Sequence, residues 1–423
     1  MNPRDYLASL EFHGIKLGLD NIRFLMSAAG DPHLRYPVVH VAGTNGKGSV
    51  VAMLASVLQA AGYRVGRFTS PHLLDLEERF VLDRTPVAAD ELNEQLAYFQ
   101  VLAQEMSHPP TYFELCTAVA FRWFAEKAVD VAVVEVGMGG RFDSTNVVEP
   151  VACAITNIDL EHMQYLGATV EAIAFEKAGI IKPRVPVVVA EQQPAPLRVI
   201  QERADANGSP VSRLGRDFHF QLRGEDPFSQ ALDFDGATWQ IADAPLALAG
   251  RYQGENAATA LALAEVLESA FPRLNEDVAR AGLSAARWPC RMEKVMDSPP
   301  VILDVAHNPA GMRRLAAELK QCFAVLAVSS DKDAAAMIRE LDGIAHDLIL
   351  TRYKGRRAAD ISELEAAAAG RPHRCFETLE PAIFAGIAAA SVECPLVVTG
   401  SIFTAGQARR ILMERYGAAP LQF

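Results

Sequence analysis

The chain predicts an α/β protein. An N-terminal doubly wound sheet of the P-loop type carries a small β-rich insertion, and a smaller C-terminal α/β, Rossmann-like domain follows. Three observations predict this. Apolar, β-branched runs of strand length alternate with stretches of helical spacing, and that alternation builds parallel sheets covered on both faces. Residues 207–245 break the rhythm with short runs separated by turn residues. After Pro299 and Pro300 the strand–helix rhythm begins again.

In order, "PVVHVAG" reads as a buried strand and "GSVVAMLASVLQAAG" as the helix after it, closed by Gly62. "YRVGRFTS" is the next strand. "AADELNEQLAYFQVLAQEM" and "YFELCTAVAFRWFAEKA" have helical spacing. "VDVAVVEVG", "VACAITNI" and "VPVVVA" are continuous apolar runs of strand length. In the second pattern "VILDVAH", "AVLAVSS", "HDLILTRY" and "CPLVVTGS" read as strands and "AGMRRLAAELKQCF" as a helix. The short alanine-rich "ELEAAAAG" fits a helix end. A boundary is expected between residues 292 and 300, dividing the chain into 1–294 and 295–423. There is no internal repeat.

The 423 residues are half hydrophobic and 22% charged, ordinary for a soluble protein. A net charge of −12 argues against a general nucleic-acid coat. It leaves room for a local basic pocket that holds an anionic small molecule. Cys116, Cys153, Cys290, Cys322, Cys375 and Cys394 are scattered, without a C-x-x-C pair. They read as free thiols in a reducing compartment rather than a disulfide framework or zinc site. "MNPRDYLASLEFHG" lacks a signal pattern, and no uninterrupted apolar stretch reaches membrane-spanning length. A cytoplasmic protein, with no membrane or nucleic-acid partner, is expected.

Chemistry concentrates first in "HVAGTNGKGSV", His40 to Val50. Glycines around Lys47, between a strand and a helix, suit a phosphate cradle: backbone N–H groups and the helix N-terminus face the anion. The spacing is not the common G-x-x-x-x-G-K-[ST], since Val41 stands five before Gly46 and Gly48 follows Lys47. Glu135 ends an apolar strand beside a second Gly-rich stretch, "GMGGRFDSTN", and suits a Mg²⁺ ligand near phosphates. A strand-end glutamate is also often simply solvated. His162 in "TNIDLEHMQYLG" and Lys177 in "AFEKAGIIKP", taken singly, read as a hydrogen-bonding histidine and a surface lysine.

"HVAGTNGKGS", "TSPHL" followed by "ERF", "VVEVGMGGRFDSTN", "EKAGIIK", "NAATALA" and "LDVAHNP" occur in one order. Together they resemble the folylpolyglutamate synthase/dihydrofolate synthase family, within the Mur-ligase superfamily. "IKLGLDNIR", "SSDKD" and "TGSIFTAGQAR" extend the resemblance over nearly the whole chain, and G-T-N-G-K-G-S is that superfamily's form of the phosphate loop. The resemblance implies an ATP-dependent carboxylate–amine ligase that adds L-glutamate to a folate or dihydropteroate through an acyl phosphate. It implies ATP, two Mg²⁺ ions and a monomer. Gly46, Lys47, Gly48 and Ser49 match the phosphate positions. Ser70, Glu135 and His162 match metal ligands, and Lys177 matches a lysine carried as a carbamate, made with CO₂. Lys47, Lys177 and His162 would serve catalysis. Asn256, Arg291, Asp304 and His307 match adenine, phosphate and ribose positions. Gly18, Leu19, Asp20, Thr111, Tyr112, Phe113, Phe142, Asp143 and Ser144 match pterin positions, with Phe113 suited to stack on a flat ring.

Two departures stand out. Cys290 in "WPCR" replaces the family's usual glycine, and Asp83–Arg84 replaces an Asn-Gly-type turn. The rival readings are a ligase of cell-wall peptide precursors, which "EKAGIIK" and "TSPHL" disfavour, and a nucleotide-switch binding protein, which the second α/β domain disfavours.

Overall fold

The computed structural model describes residues 1–13 and 18–423. Ile15, Lys16 and Leu17 of "IKLGLDNIR" lie outside them. Seventeen strands form three sheets among the described residues. The first has eight: β1 (Val38–Ala42), β2 (Val65–Phe68), β3 (Phe80–Leu82), β4 (Thr85–Pro86), β5 (Val131–Glu135), β6 (Ala152–Ile155), β7 (Val187–Val189) and β8 (Val211–Arg213). Their spatial order is β4-β3-β2-β5-β1-β6-β7-β8. β1, β2, β5 and β6 are buried at every position, His40 and Arg67 included, as strands covered by helices on both faces are.

The register sets the site. Val41 of β1 lies beside Glu135 of β5 and Ala154 of β6. The three central strands therefore end level, and their following loops emerge together at the C-terminal edge, where open α/β sheets bind ligands. The helix Lys47–Ala60 leaves β1 and is buried along nearly its whole length. It is sandwiched between the sheet and the helices Tyr252–Leu267 and Glu276–Ala285. Its crossing with Glu276–Ala285 is close because Gly282 lacks a side chain: a Cβ there would stand 2.4 Å from Val57 Cα.

β3 and β4 form an antiparallel hairpin on the edge of this sheet. Its turn residues Asp83 and Arg84 have φ of 45° and 71°, the left-handed pair that a tight hairpin demands. β9 (His219–Arg223), β10 (Gln230–Asp235) and β11 (Gln240–Leu246) form the antiparallel insertion. It sets Leu232, Phe234 and Ile241 against the helix Tyr252–Leu267. The 207–245 reading needs one correction: β8 falls within it but pairs in parallel with β7 at the edge of the large sheet.

The last sheet has six strands: β12 (Glu293–Asp297), β13 (Pro300–Leu303), β14 (Cys322–Leu326), β15 (Ala345–Leu350), β16 (His373–Cys375) and β17 (Leu396–Thr399). Their order is β12-β13-β17-β14-β15-β16, parallel except for β12 against β13. The predicted helix "AGMRRLAAELKQCF" ends at Ala317, and Cys322 and Phe323 belong to β14. The sequence reading also missed β12 and β16. The two halves meet where Gly406 packs on Leu73, with the carbonyl oxygen of Leu73 2.2 Å from where a Cβ would sit. Asn308 Nδ2 also donates to Asn45 Oδ1 at 3.3 Å. No helix of the described residues is long and apolar enough to cross a membrane.

Candidate active site

Gly43 and Gly46 have φ of 144° and 88°, values that residues with a Cβ avoid. A Cβ at Gly43 would stand 1.7 Å from Thr156 Oγ1, and one at Gly46 would stand 2.3 Å from Asn256 Oδ1. The loop is thus pressed between the end of β6 and the helix Tyr252–Leu267. Asn157 fixes it from the side, its carbonyl accepting from Thr44 N at 2.8 Å and its Oδ1 from Asn45 N at 3.0 Å. Gly46 caps the helix Lys47–Ala60. The first-turn N–H groups, those of Lys47, Gly48 and Ser49, are the ones a helix leaves without intrahelical partners. Lys47 Nζ donates to the carbonyls of Gly43 and Thr44, each at 3.0 Å.

Glu135 is buried at the end of β5 and accepts from Ser70 N at 3.1 Å. Burial pushes its carboxyl up, while Lys47, the Ser70 N–H and Arg291 oppose that. Glu135, Ser70, Trp288 and Arg291 line one cavity between the two halves of the chain.

Lys177 is not a surface lysine: it is 1% exposed. The helix Val170–Ala178 carries it under the phosphate loop, where Nζ donates to Gly43 O and to Glu161 Oε1, each at 2.7 Å. Burial lowers its pKa to about 8 against the opposing pull of Glu161. Burial raises Glu161, but Lys177 and Lys47 outweigh it and hold that carboxylate at about 2. His162, at φ 46°, turns the chain into the short helix Met163–Leu166 at the rim. Burial lowers the pKa of its ring, opposed by Glu161 and reinforced by Lys332, Lys177 and Lys47.

The segment around the domain boundary and the C-terminal half close over this edge. The Trp288 ring lies 2.7 Å from where a Cβ of Gly48 would be, so it packs on the first helical turn. Cys290 takes φ 56°, so the turn that glycine favours is kept with a cysteine in it, buried. Asp304 accepts from Met292 N at 2.9 Å, Ala306 N at 2.7 Å and Tyr252 Oη at 3.3 Å. Burial raises its pKa and Arg291 opposes. His307 Nδ1 lies 3.0 Å from Val305 O, and burial lowers that ring to about 4. Asn256 Nδ2 donates to Gln253 Oε1 at 2.8 Å, leaving Oδ1 against Gly46.

The expected pterin positions gather below. Asn21, on the helix Asp20–Ala28 that Leu19 caps, donates to Glu114 Oε2 at 3.1 Å. Thr111 and Glu114 form the capping box of the helix Tyr112–Glu126. Leu19, Tyr112 and Phe113 pack on one core, and Gly18 precedes them at φ 140°. Phe113 stacks on Phe68 at 5.9 Å, and its ring lies 2.5 Å from where a Gly137 Cβ would be. Asp143 is committed locally, accepting from Met138 N, Thr145 N and Thr145 Oγ1. Ser144 Oγ pairs with Thr117 Oγ1 at 2.7 Å. Phe142 is more exposed, under the Arg141 guanidinium at 4.2 Å.

Sequence reasoning missed Asn45, Asn157, Glu161, Trp288 and Asn308. Glu161 beside His162, Trp288 beside "PCR", Asn45 beside Gly46 and Asn308 beside His307 had one signal, their nearness to residues already singled out, and Asn157 had none.

Residues 41–264 match the Mur ligase middle domain and residues 290–402 the Mur ligase glutamate ligase domain. A Bacillus subtilis dihydrofolate synthase/folylpolyglutamate synthase is 39% identical over 83% of this chain and 84% of its own. The solved structure of Mycobacterium tuberculosis folylpolyglutamate synthase complexed with ADP superposes with a TM-score of 0.89 at 34% identity, covering 99% of this chain and 100% of that one. E. coli FolC in complex with DHPP and ADP superposes at 0.89 and 31% identity, covering 98% and 99%.

Proposed function

Because the chain belongs to the folylpolyglutamate synthase/dihydrofolate synthase family of Mur ligases, we propose that the cleft around Lys47 is where it joins L-glutamate to its acceptor. The protein is an ATP-dependent ligase that adds L-glutamate to a folate or dihydropteroate carboxylate through an acyl phosphate. We take residues 1–294 and 295–423 as its two domains, and both dihydropteroate and folates as acceptors. The observation that carries the reading is the glycine-lined helix N-terminus at Gly46–Ser49, with Lys47 at its mouth, Trp288 packed on Gly48 from near the domain boundary, and Asn308 bonded to Asn45 from the C-terminal domain.

ATP enters with its phosphates on the N–H groups of Lys47, Gly48 and Ser49. Lys47 exchanges its carbonyl partners for phosphate oxygens and neutralises charge on the group in transfer. Asn256 and Arg291 border the nucleotide, with Asp304 and His307 turned toward its ribose. The acceptor carboxylate attacks the γ-phosphorus and ADP leaves. The L-glutamate amine then attacks the acyl carbon, loses a proton, and phosphate departs. Water would hydrolyse the acyl phosphate, so the packing of Gly406 on Leu73 and the Asn308–Asn45 bond matter: they hold the halves together over the cleft.

Ser70, Glu135, His162 and Lys177 would hold two Mg²⁺ ions, which supply charge neutralisation at the phosphate oxygens when bound. A buried carboxylate beside the phosphate loop supports that donor set, since hard cations take oxygen ligands. Lys177 would serve as a carbamate: deprotonated Nζ adds to the carbon of CO₂ and releases a proton, turning a cation into an anion. Its burial and its pKa near 8 support that chemistry. The pterin would lie along Gly18, Leu19, Asp20, Thr111, Tyr112 and Phe113, with Phe142, Asp143 and Ser144 closing the other side.

The test is ADP release with dihydropteroate or tetrahydrofolate as acceptor, each with and without L-glutamate. Sustained release that needs both acceptor and glutamate supports the reading. Release independent of either overturns it.

A further inference from the structure

The free edge of the C-terminal sheet carries a second cluster of ligating groups, remote from the cleft. β16 pairs only with β15. His373 and Cys375 are two residues apart on it and share one face. The helix Ile361–Ala367, just upstream, brings Glu365 to that face, where the Cys375 thiol donates to Glu365 Oε1 at 3.3 Å. One ligand atom from each of Glu365, His373 and Cys375 lies within 4.8 Å of the other two, the one such trio among the described residues.

We infer that Glu365, His373 and Cys375 form a binding site for a borderline-soft divalent cation of the Zn²⁺ or Co²⁺ kind. The donor set decides the class. Sulfur and imidazole with one carboxylate favour zinc-like ions, whereas Mg²⁺ takes oxygen. Three protein ligands leave a fourth position for water. The His373 ring is already oriented, with Nδ1 2.9 Å from the Arg371 carbonyl. A backbone carbonyl holding one ring nitrogen is the usual support of a metal-bound histidine.

Bonds of about 2.0–2.3 Å in a tetrahedron set ligand atoms roughly 3.5 Å apart. The trio must therefore contract, and Glu365 is exposed and free to rotate inward. A bound ion would tie the end of the helix Ile361–Ala367 to an edge strand of three residues. Four strand spacings separate β16 from β13, which precedes Asp304 and His307, about 19 Å. Occupancy is therefore independent of the ligation chemistry. The scattered cysteines gave no metal signal in the sequence because the ligands lie on a helix and a strand rather than in one short motif.

The experiment titrates Co²⁺ into the full-length reduced protein and follows the thiolate-to-cobalt charge-transfer absorption. Oxygen and imidazole ligands at the cleft cannot produce that band. The expected result is a band saturating at one Co²⁺ per chain, displaced by one equivalent of Zn²⁺ and unaffected by excess Mg²⁺. It is lost in Cys375→Ser and shifted at least tenfold to weaker binding in His373→Ala and in Glu365→Gln. Ligation by Cys375→Ser in the presence of EDTA-treated buffer and added Mg²⁺ is expected to equal wild type, which also reports its folding. Absence of the band, or its persistence in Cys375→Ser, overturns the proposal. If Cys375→Ser fails to fold, the His373→Ala titration decides, and wild-type affinity there overturns it as well.

Discussion

Lys177 Nζ donates to Glu161 Oε1 at 2.7 Å in a pocket where the lysine is 1% exposed, directly under the Gly43 carbonyl. A buried amine beside a phosphate loop would repel the metal ions that accompany ATP, whereas its carbamate would attract them. Lys177→Ala is therefore expected to lose about 100-fold or more in turnover, the scale of removing one preorganised charge from a transition state. Formate or acetate should restore part of the rate by filling the gap. Stripping CO₂ from the wild type should lower its activity, and bicarbonate should return it. A variant within tenfold of wild type would remove Lys177 from the chemistry.

Lys47 Nζ donates to the loop carbonyls of Gly43 and Thr44 rather than packing in the core. Lys47→Ala should lower turnover by about 100-fold or more while leaving the melting temperature close to that of wild type. Steady-state kinetics and a thermal melt on the same preparation check both halves. Near-normal turnover would show that the loop does not hold the reacting phosphates.

His40 is fully buried on β1, its Nε2 2.8 Å from Thr145 Oγ1. Burial, and secondarily Lys182, lower its pKa from 6.5 to about 3. The unfolded chain therefore binds a proton at pH values where the folded one does not. Stability from this group is complete above pH 6.5 and falls as pH drops toward 3, by up to about 1.4 kcal/mol per pH unit. Melting temperatures measured from pH 7 to pH 5 should fall, and fall less steeply in His40→Gln. Equal slopes in the two proteins would contradict the assignment.

Gly282 separates two opposing effects. Within a helix, glycine to alanine ordinarily stabilises by about 0.5–1 kcal/mol. A Cβ at Gly282 would instead meet Val57 Cα at 2.4 Å and Val57 N at 2.8 Å, backbone atoms that cannot turn aside. The two helices must separate, at a cost of about 1–3 kcal/mol. Gly282→Ala should melt several degrees below wild type, and a higher melting temperature would show that the crossing is looser than the backbone distances require.

The buried strands were legible because Val131–Val134 of β5 and all of β6 are apolar at consecutive positions, as two covered faces favour, and β1 is interrupted only by His40. The phosphate loop was legible because glycine, lysine and a following helix serve one purpose together. β12 was missed because its side chains are half-exposed and charged, and β16 because His-Arg-Cys carries no apolar pattern. The helix Pro309–Ala317 was read too long because "LKQCF" continues its apolar spacing past the point where Cys322 joins β14. Lys177, taken singly, reads as a surface lysine because burial of a lysine depends on a partner distant in sequence: Gly43 lies 134 residues away. Asn157 and Asn308 bond to Asn45 of the phosphate loop from 112 and 263 residues away, separations that no local pattern encodes.

The central claim is that the acceptor carboxylate attacks the γ-phosphorus of ATP in the cleft around Lys47. It is tested most directly by supplying an acceptor whose carboxylate oxygens are ¹⁸O and analysing the phosphate released during ligation by mass spectrometry. An acyl phosphate delivers one of those oxygens to phosphate when the glutamate amine displaces it. The account predicts one ¹⁸O in each phosphate formed with amide product, and unlabelled phosphate accompanying labelled amide would contradict it.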